Sequence, residues 1–261
     1  MDEAEEYVKK RLLIVGTSHI ATSTSKLIRD KFSEFSPEIC ALELDSNRMQ
    51  ALMSVLEEKR GPSLSDTKKL GFKGYLFAKI GGIIQKRLGE SIGSTPGVDM
   101  KAAIMEAKRR EIPIFLIDRN LEITLKEFSR RFTLREASRM AWDLISGILF
   151  KRGMIAQDVQ LDLEKVPEDE VVKRAVEEIK KRYPSLYEVL VEDRNRIMAS
   201  RIVEIMRSNP GKKVIAVLGA GHKEGVMKLV LERRREIYEA YKNLKEEKGN
   251  LGKSFTYSFS I

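Results

Sequence analysis

Arg11-Leu12-Leu13-Ile14-Val15-Gly16-Thr17-Ser18-His19 is an apolar run that breaks at a glycine and delivers a histidine three residues later. Its counterpart, Lys213-Val214-Ile215-Ala216-Val217-Leu218-Gly219-Ala220-Gly221-His222, does the same near the other end of the sequence. Aliphatic and β-branched content, short length and the glycine boundary make each run a buried strand. The two histidines are the only ones among 261 residues. In open α/β sheets ligands gather beyond the carboxyl ends of the strands, and a glycine there lets the backbone turn sharply. Imidazole is both a common transition-metal ligand and a proton carrier at neutral pH. A single such histidine reads as a satisfied turn residue; two in matching contexts read as one site.

Working outward, residues 22–35 read as a helix opened by Ser and Thr, and residues 38–44 as a second strand. Strand, helix and strand together imply a right-handed parallel crossover. A helix is expected over 47–60 and another over Val98–Arg110, with Ala102, Ala103 and Ala107 along one side. Residues 113–117 read as a third strand ending at Asp118-Arg119, and 213–218 as a fourth, with a helix from about Gly225. Helical periodicity dominates 122–207, with helices over 134–150, 168–182 and 184–207 and capping-box spacing at Thr133-Leu-Arg-Glu136. Residues 231–249 read as a charged helix, and the Ser/Phe/Tyr alternation near the end as either an edge strand or a truncated end. The fold class is therefore α/β: a central mixed or parallel sheet flanked by helices, with a large helical insertion. We expect a single domain over 1–261, with 122–207 as a helical insert and 59–95 as a lid or interface arm.

Composition bounds the function. The formal charge is +9 and the pI about 9.4, which favours anionic partners or simply a solvated Lys/Arg surface. Residues 59–89 carry Lys59, Arg60, Lys68, Lys69, Lys73, Lys79, Lys86 and Arg87 against one acid, Asp66, with glycines interleaved. This segment suits a lid, a dimer arm or a membrane-surface helix. No aromatic-basic RNA-binding signature and no Cys/His finger spacing is present, so specific nucleic-acid binding is not expected. One cysteine, Cys40, lies in an apolar run and reads as a buried thiol. The acidic N-terminus lacks an apolar core and no apolar run is long enough to span a membrane. Those features point to a cytoplasmic protein, with membrane association entering through 59–89 or a further C-terminal part.

Several carboxylates and arginines can join the histidines. Glu43 lies in Ala41-Leu-Glu-Leu-Asp45, where a carboxylate within an apolar strand needs a metal, an Arg or a face turned to water. Asp45 lies two positions on. Arg48, one helical turn later, either binds a substrate carboxylate or pairs with Asp45. Asp99 and Asp118 are weaker acid candidates, Asp99 entering the catalytic set and Asp99 or Asp45 serving as the spare carboxylate; Arg119 follows Asp118 as a substrate-binding candidate, and Arg194 and Asn195 are substrate-binding candidates or charged helix surface. Gly219-x-Gly221-x-x-x-Gly225 differs in spacing from the dinucleotide fingerprint, and neither a P-loop nor a Gly-x-Ser-x-Gly elbow is present.

In order along the chain, Gly16-Thr-Ser-His19, Glu43-Leu-Asp45-x-x-Arg48, Pro96-Gly-Val-Asp99-Met, Ile117-Asp-Arg119, Arg194-Asn195-x-x-Met198-Ala199 and Gly219-Ala-Gly-His222 resemble the archaeal-type TraB family, also called PrgY or pheromone-shutdown proteins. The resemblance runs from about residue 11 to 230. The family is related to Tiki proteases, GumN-type proteins and erythromycin esterase-like proteins, so the resemblance implies that fold. It implies a metal-dependent hydrolase, peptidase-like, with His19, His222 and Glu43 as the metal and catalytic set and Mn²⁺ or Co²⁺ as the ion; two histidines plus acids suit Zn²⁺ as well. Asp99 stands where relatives often carry Glu. Arg48, Arg119, Arg194 and Asn195 are expected to bind substrate. Glu43 is left as either ligand or general base. A peptide substrate and a homo-oligomer are expected; the competing expectation is a non-catalytic regulator that binds a peptide or a membrane partner.

Overall fold

The computed structural model describes residues 2–17, 23–57, 97–149 and 168–257. His19 and the segment expected to form a lid lie outside the described residues. Among those described, contacts group residues 2–57, 97–118 and 195–257 into one compact unit, and residues 119–149 and 168–194 into a second.

The first unit is an α/β layer structure. Helix α1 (Glu3–Arg11) leads directly into β1 (Leu12–Thr17); α2 (Ser23–Phe35) leads to β2 (Ile39–Leu42), which α3 (Ser46–Glu57) follows. Helix α4 (Val98–Arg109) precedes β3 (Ile114–Leu116). The four strands in the described residues form one sheet in the order β1-β4-β2-β3, where β4 spans Val214–Gly219, and every pairing is parallel. Of the mixed and parallel alternatives, the sheet is the parallel one.

Strand periodicity explains why helices cover both faces. Leu12, Ile14, Ile39, Ala41, Val214, Ala216 and Leu218 point one way and join Val8 of α1, Met198, Ile202 and Val203 of a long helix, and Val226 and Val230. The intervening residues Val15, Cys40, Leu42, Ile215 and Val217 point the other way, onto Ile28 and Phe32 of α2 and Met100, Ala103, Ile104 and Ala107 of α4. The alanines of α4 permit the close approach that their spacing suggested. Burial pushes the Cys40 thiol up to about 12, as expected of a thiolate that apolar surroundings cannot solvate.

The second unit is helical: α5 (Leu121–Arg131), α6 (Leu134–Leu149), α7 (Glu168–Arg182), the short α8 (Pro184–Tyr187) and a π-helical stretch Glu188–Glu192, after which α9 runs Asp193–Ser208. The expected continuous helix over 184–207 is thus interrupted by one π turn. Thr133 and Glu136 form the capping box, the Glu136 carboxylate accepting the Thr133 N–H at 3.1 Å and the Thr133 hydroxyl accepting the Glu136 N–H at 3.2 Å. Glu136 also accepts the Ser185 N–H at 2.8 Å. Asp143 accepts from Arg182 Nε at 2.8 Å and from the Tyr183 hydroxyl. Those two bonds tie α6 to the α7–α8 corner.

Three boundary differences bear on the site. Strand β2 stops at Leu42, so Glu43 sits just past the strand end and not inside it. Helix α10 (Ala220–Glu232) starts five residues earlier than expected, which puts His222 in its first turn. The C-terminal residues expected as an edge strand are helical to Tyr257, as part of α11 (Arg234–Tyr257). Among the described residues no helix is long and apolar enough to cross a membrane.

Candidate functional site

The strand order places three expected site segments side by side at the carboxyl edge of the sheet. In the β1–β4 register Thr17 faces Gly219, and in the β2–β4 register Leu42 faces Val217. The Glu43 N–H donates to the Val217 carbonyl at 3.1 Å, extending that pairing one residue past β2. Its side chain then turns along the strand ends, and Oε2 accepts the Gly219 N–H at 2.6 Å. Gly219 is the N-cap of α10 and has no capping side chain of its own; Glu43 satisfies its backbone N–H from the end of β2, as the N3 carboxylate of a capping box would.

The other carboxylate oxygen, Oε1, lies 3.7 Å from His222 Nε2. On the opposite edge of the imidazole, Nδ1 is 2.7 Å from Asn195 Oδ1. Asn195 is 2% exposed and His222 8%. Glu43, His222 and Asn195 therefore form a line from the end of β2, across the first turn of α10, to α9. The absence of any loop between β4 and α10 makes this possible: a histidine in the first helical turn is fixed by the helix itself.

Two further polar clusters flank the line. The Thr17 hydroxyl donates to Asp99 Oδ2 at 2.5 Å, with the Leu218 carbonyl oxygen 3.2 Å away. Asp99 is buried in the first turn of α4 and ties that helix to the end of β1. Asp45 Oδ1 accepts the N–H groups of Asn47 and Arg48 at 2.9 and 3.0 Å, capping α3. Arg48 Nε donates to Asp45 Oδ2 at 2.6 Å, and Nη2 donates to Asp118 Oδ2. Arg201 Nη1 donates to the Asp118 carbonyl at 2.6 Å, fixing the end of β3.

Of the expected site residues, the structure brings together Glu43, His222 and Asn195, with Asp99 and Arg48 at the same strand ends. Asn195 was expected to contact substrate from a charged helix surface; it is buried and its amide faces His222. Arg48 was left between substrate and Asp45, and it grips two carboxylates of its own chain. Arg119 and Arg194 belong to the helical unit. There Arg119 is buried, donating to Thr124 Oγ1 at 2.9 Å and to the Val189 carbonyl at 3.0 Å, with Asp193 3.8 Å away. Arg194 Nη1 donates to the Leu190 carbonyl at 3.4 Å. Both arginines thus donate to carbonyls of the π-helical stretch. Thr17 lay within a quoted motif without being singled out. Arg201 and the Gly219 N–H gave no sequence signal, because one is an ordinary helix arginine and the other is backbone.

Among the described residues, no group of three or more His, Cys, Asp and Glu side chains is arranged to hold a metal ion; His19 is not one of those residues.

Parallel strands, helices on both faces and a His–Glu pair at the carboxyl edge define an α/β protein with its polar chemistry gathered at the strand ends. A profile of the TraB/PrgY/gumN family matches residues 5–239. The chain belongs to that family. It is also 33% identical, over 257 residues, to the uncharacterised protein MJ1365 of Methanocaldococcus jannaschii. That alignment takes in 96% of this chain and 62% of the relative, so the chain spans less than two thirds of the relative's length.

Proposed function

We propose that the chain is a divalent-metal-dependent hydrolase that cleaves peptides, with Glu43 and His222, completed by His19, as the metal and catalytic set. The observation that carries this reading is the 3.7 Å separation of Glu43 Oε1 and His222 Nε2. It exceeds a hydrogen bond, whose N···O distance is about 2.9 Å. It is near the ~3.4 Å between two donor atoms on one tetrahedral ion with bonds of ~2.0–2.2 Å. The donor set of imidazole and carboxylate suits Mn²⁺, Co²⁺ or Zn²⁺, so the residues fit the group. Such an ion lowers the pKa of a bound water and polarises a scissile carbonyl.

The chain's own groups have distinct tasks in this reading. Glu43 Oε2 is anchored on the Gly219 N–H, and Oε1, the oxygen toward His222 Nε2, either ligates or accepts the proton of attacking water. His222 contributes Nε2, the nitrogen on the Glu43 side. Thr17 and Asp99 hold the end of β1, from which the chain continues to His19. Arg48 is clamped by Asp45 and Asp118, so it carries little spare charge for a substrate carboxylate and serves mainly to set the shape of the strand ends.

The test is cleavage of a mixed peptide library by the purified protein, before and after exhaustive chelation and after restoring Mn²⁺, Co²⁺ or Zn²⁺. Cleavage that chelation abolishes, metal restores and Glu43→Gln eliminates supports the reading. Cleavage that persists through chelation removes the metal from it, and no cleavage under any metal removes the hydrolase.

A further inference from the structure

Gly225 sits inside helix α10, where glycine is a poor helix former and where the dinucleotide-like glycine spacing gave it no use. Its surroundings supply one. A Cβ built on Gly225 would lie 2.3 Å from Asn195 Nδ2 and 3.1 Å from Asn195 Cγ. No side chain can occupy that space while the amide stays where it is. The Asn195 amide is thus wedged between the α10 backbone at Gly225 and the imidazole of His222, one turn earlier on the same helix.

We infer that Asn195 is a positioning residue that holds His222 in the Nδ1–H tautomer, and that Gly225 is the cavity that lets it do so. With Oδ1 2.7 Å from Nδ1, the imidazole donates its proton to the amide oxygen. The lone pair then lies on Nε2, the nitrogen that faces Glu43. Free histidine favours the opposite, Nε2–H form, so the contact has work to do. The reverse amide orientation would donate Nδ2–H to Nδ1 and place the imidazole proton on Nε2, aimed at Glu43 Oε1. The observed contact is through Oδ1, which can only accept. An outer partner that fixes a metal-binding histidine's tautomer is a recognised way to orient a ligand. The affinity part of this inference rests on His222 ligating through Nε2; the tautomer part does not.

The experiment is ¹⁵N NMR of the two imidazoles in histidine-labelled full chain, at a pH where both rings are neutral. His19→Gln assigns the two signal sets. Nδ1–H for His222 in the wild type is expected, retained in Asn195→Asp, which keeps the acceptor. In Asn195→Leu, and in Gly225→Ala, which drives the amide away, the ring is expected to revert toward Nε2–H. Zn²⁺ affinity, read on the same samples, is expected to fall about 10- to 100-fold in those two variants and to persist in Asn195→Asp. Nε2–H in the wild type overturns the inference, as does a tautomer that neither variant changes. Should Asn195→Leu fail to fold, the wild-type tautomer and Gly225→Ala decide alone. A wild type that shows Nδ1–H but binds no Zn²⁺, Mn²⁺ or Co²⁺ supports the positioning role and contradicts the hydrolase reading instead.

Discussion

Glu43 reaches from the end of β2 to accept the backbone N–H of Gly219 at the end of β4, at 2.6 Å. One carboxylate oxygen thereby caps α10, while the other faces the histidine in that helix's first turn. The arrangement gives one side chain two contacts: Oε2 holds the Gly219 N–H, and Oε1 lies on the side of His222 Nε2. Glu43→Gln is expected to keep the cap, since an amide oxygen still accepts the Gly219 N–H, and to lose the chemistry. Near-unchanged thermal unfolding with abolished metal affinity is the expected pair of results, measured by calorimetry on one preparation.

Arg48 bridges Asp45 and Asp118. Removing it leaves two buried carboxylates facing each other without their shared cation. Breaking such a pair costs about 3–5 kcal/mol when fully buried; with Arg48 about one third exposed, about 2–4 kcal/mol is expected for Arg48→Ala in urea unfolding. Arg48→Lys, which cannot reach both acids with two separate nitrogens, is expected to recover only part. A substitution that alters substrate KM without changing stability would assign Arg48 to substrate instead.

Asp143 makes the helical unit acid-sensitive. Burial alone would raise its carboxyl, but Arg182 and the Tyr183 hydroxyl outweigh it and hold it below the ordinary carboxylate range. The folded value is depressed, so the stabilisation is present above the unfolded value of about 3.9 and is lost as pH falls through the folded one. The protection of α6 amides against hydrogen exchange, taken relative to the unfolded chain at the same pH, is expected to fall below about pH 4. Asp143→Asn is expected to exchange faster at neutral pH and to show a shallower acid dependence.

Cys40 reports on the sheet. With its thiol pushed up to about 12 and its side chain buried between the sheet and its helices, it is expected to resist alkylation at pH 8 in native protein. In urea it is expected to react at the rate of an ordinary thiol. Labelling against urea concentration then follows the unfolding of the first unit, since Cys40 is the chain's one cysteine. Rapid native labelling would contradict the packing.

The α/β class and the four described strands were legible because they follow from short-range signals, aliphatic runs and glycine boundaries; the grouping of Glu43 with His222 came only from the resemblance of the ordered motifs. What the sequence concealed was set by packing at long separation. Asn195 and His222 lie 27 residues apart and meet through the crossing of α9 and α10, so a polar residue on a charged helix read as surface. The start of α10 was misplaced because Gly221 and Gly225 argue against helix locally; burial of Val226 and Val230, and the cap from Glu43, override that propensity. Arg119 and Arg194 read as substrate ligands, since nothing local marks the π turn whose carbonyls they meet.

In the proposed function His222 and Glu43, with His19, hold one divalent ion. The most direct test of this is metal binding by titration calorimetry with Zn²⁺, Mn²⁺ and Co²⁺ on the wild type, His19→Ala, His222→Ala and Glu43→Gln. One ion per chain is expected in the wild type, lost in each variant while the fold is retained. An ion bound equally well by His222→Ala and Glu43→Gln, or no ion bound by the wild type, would contradict it.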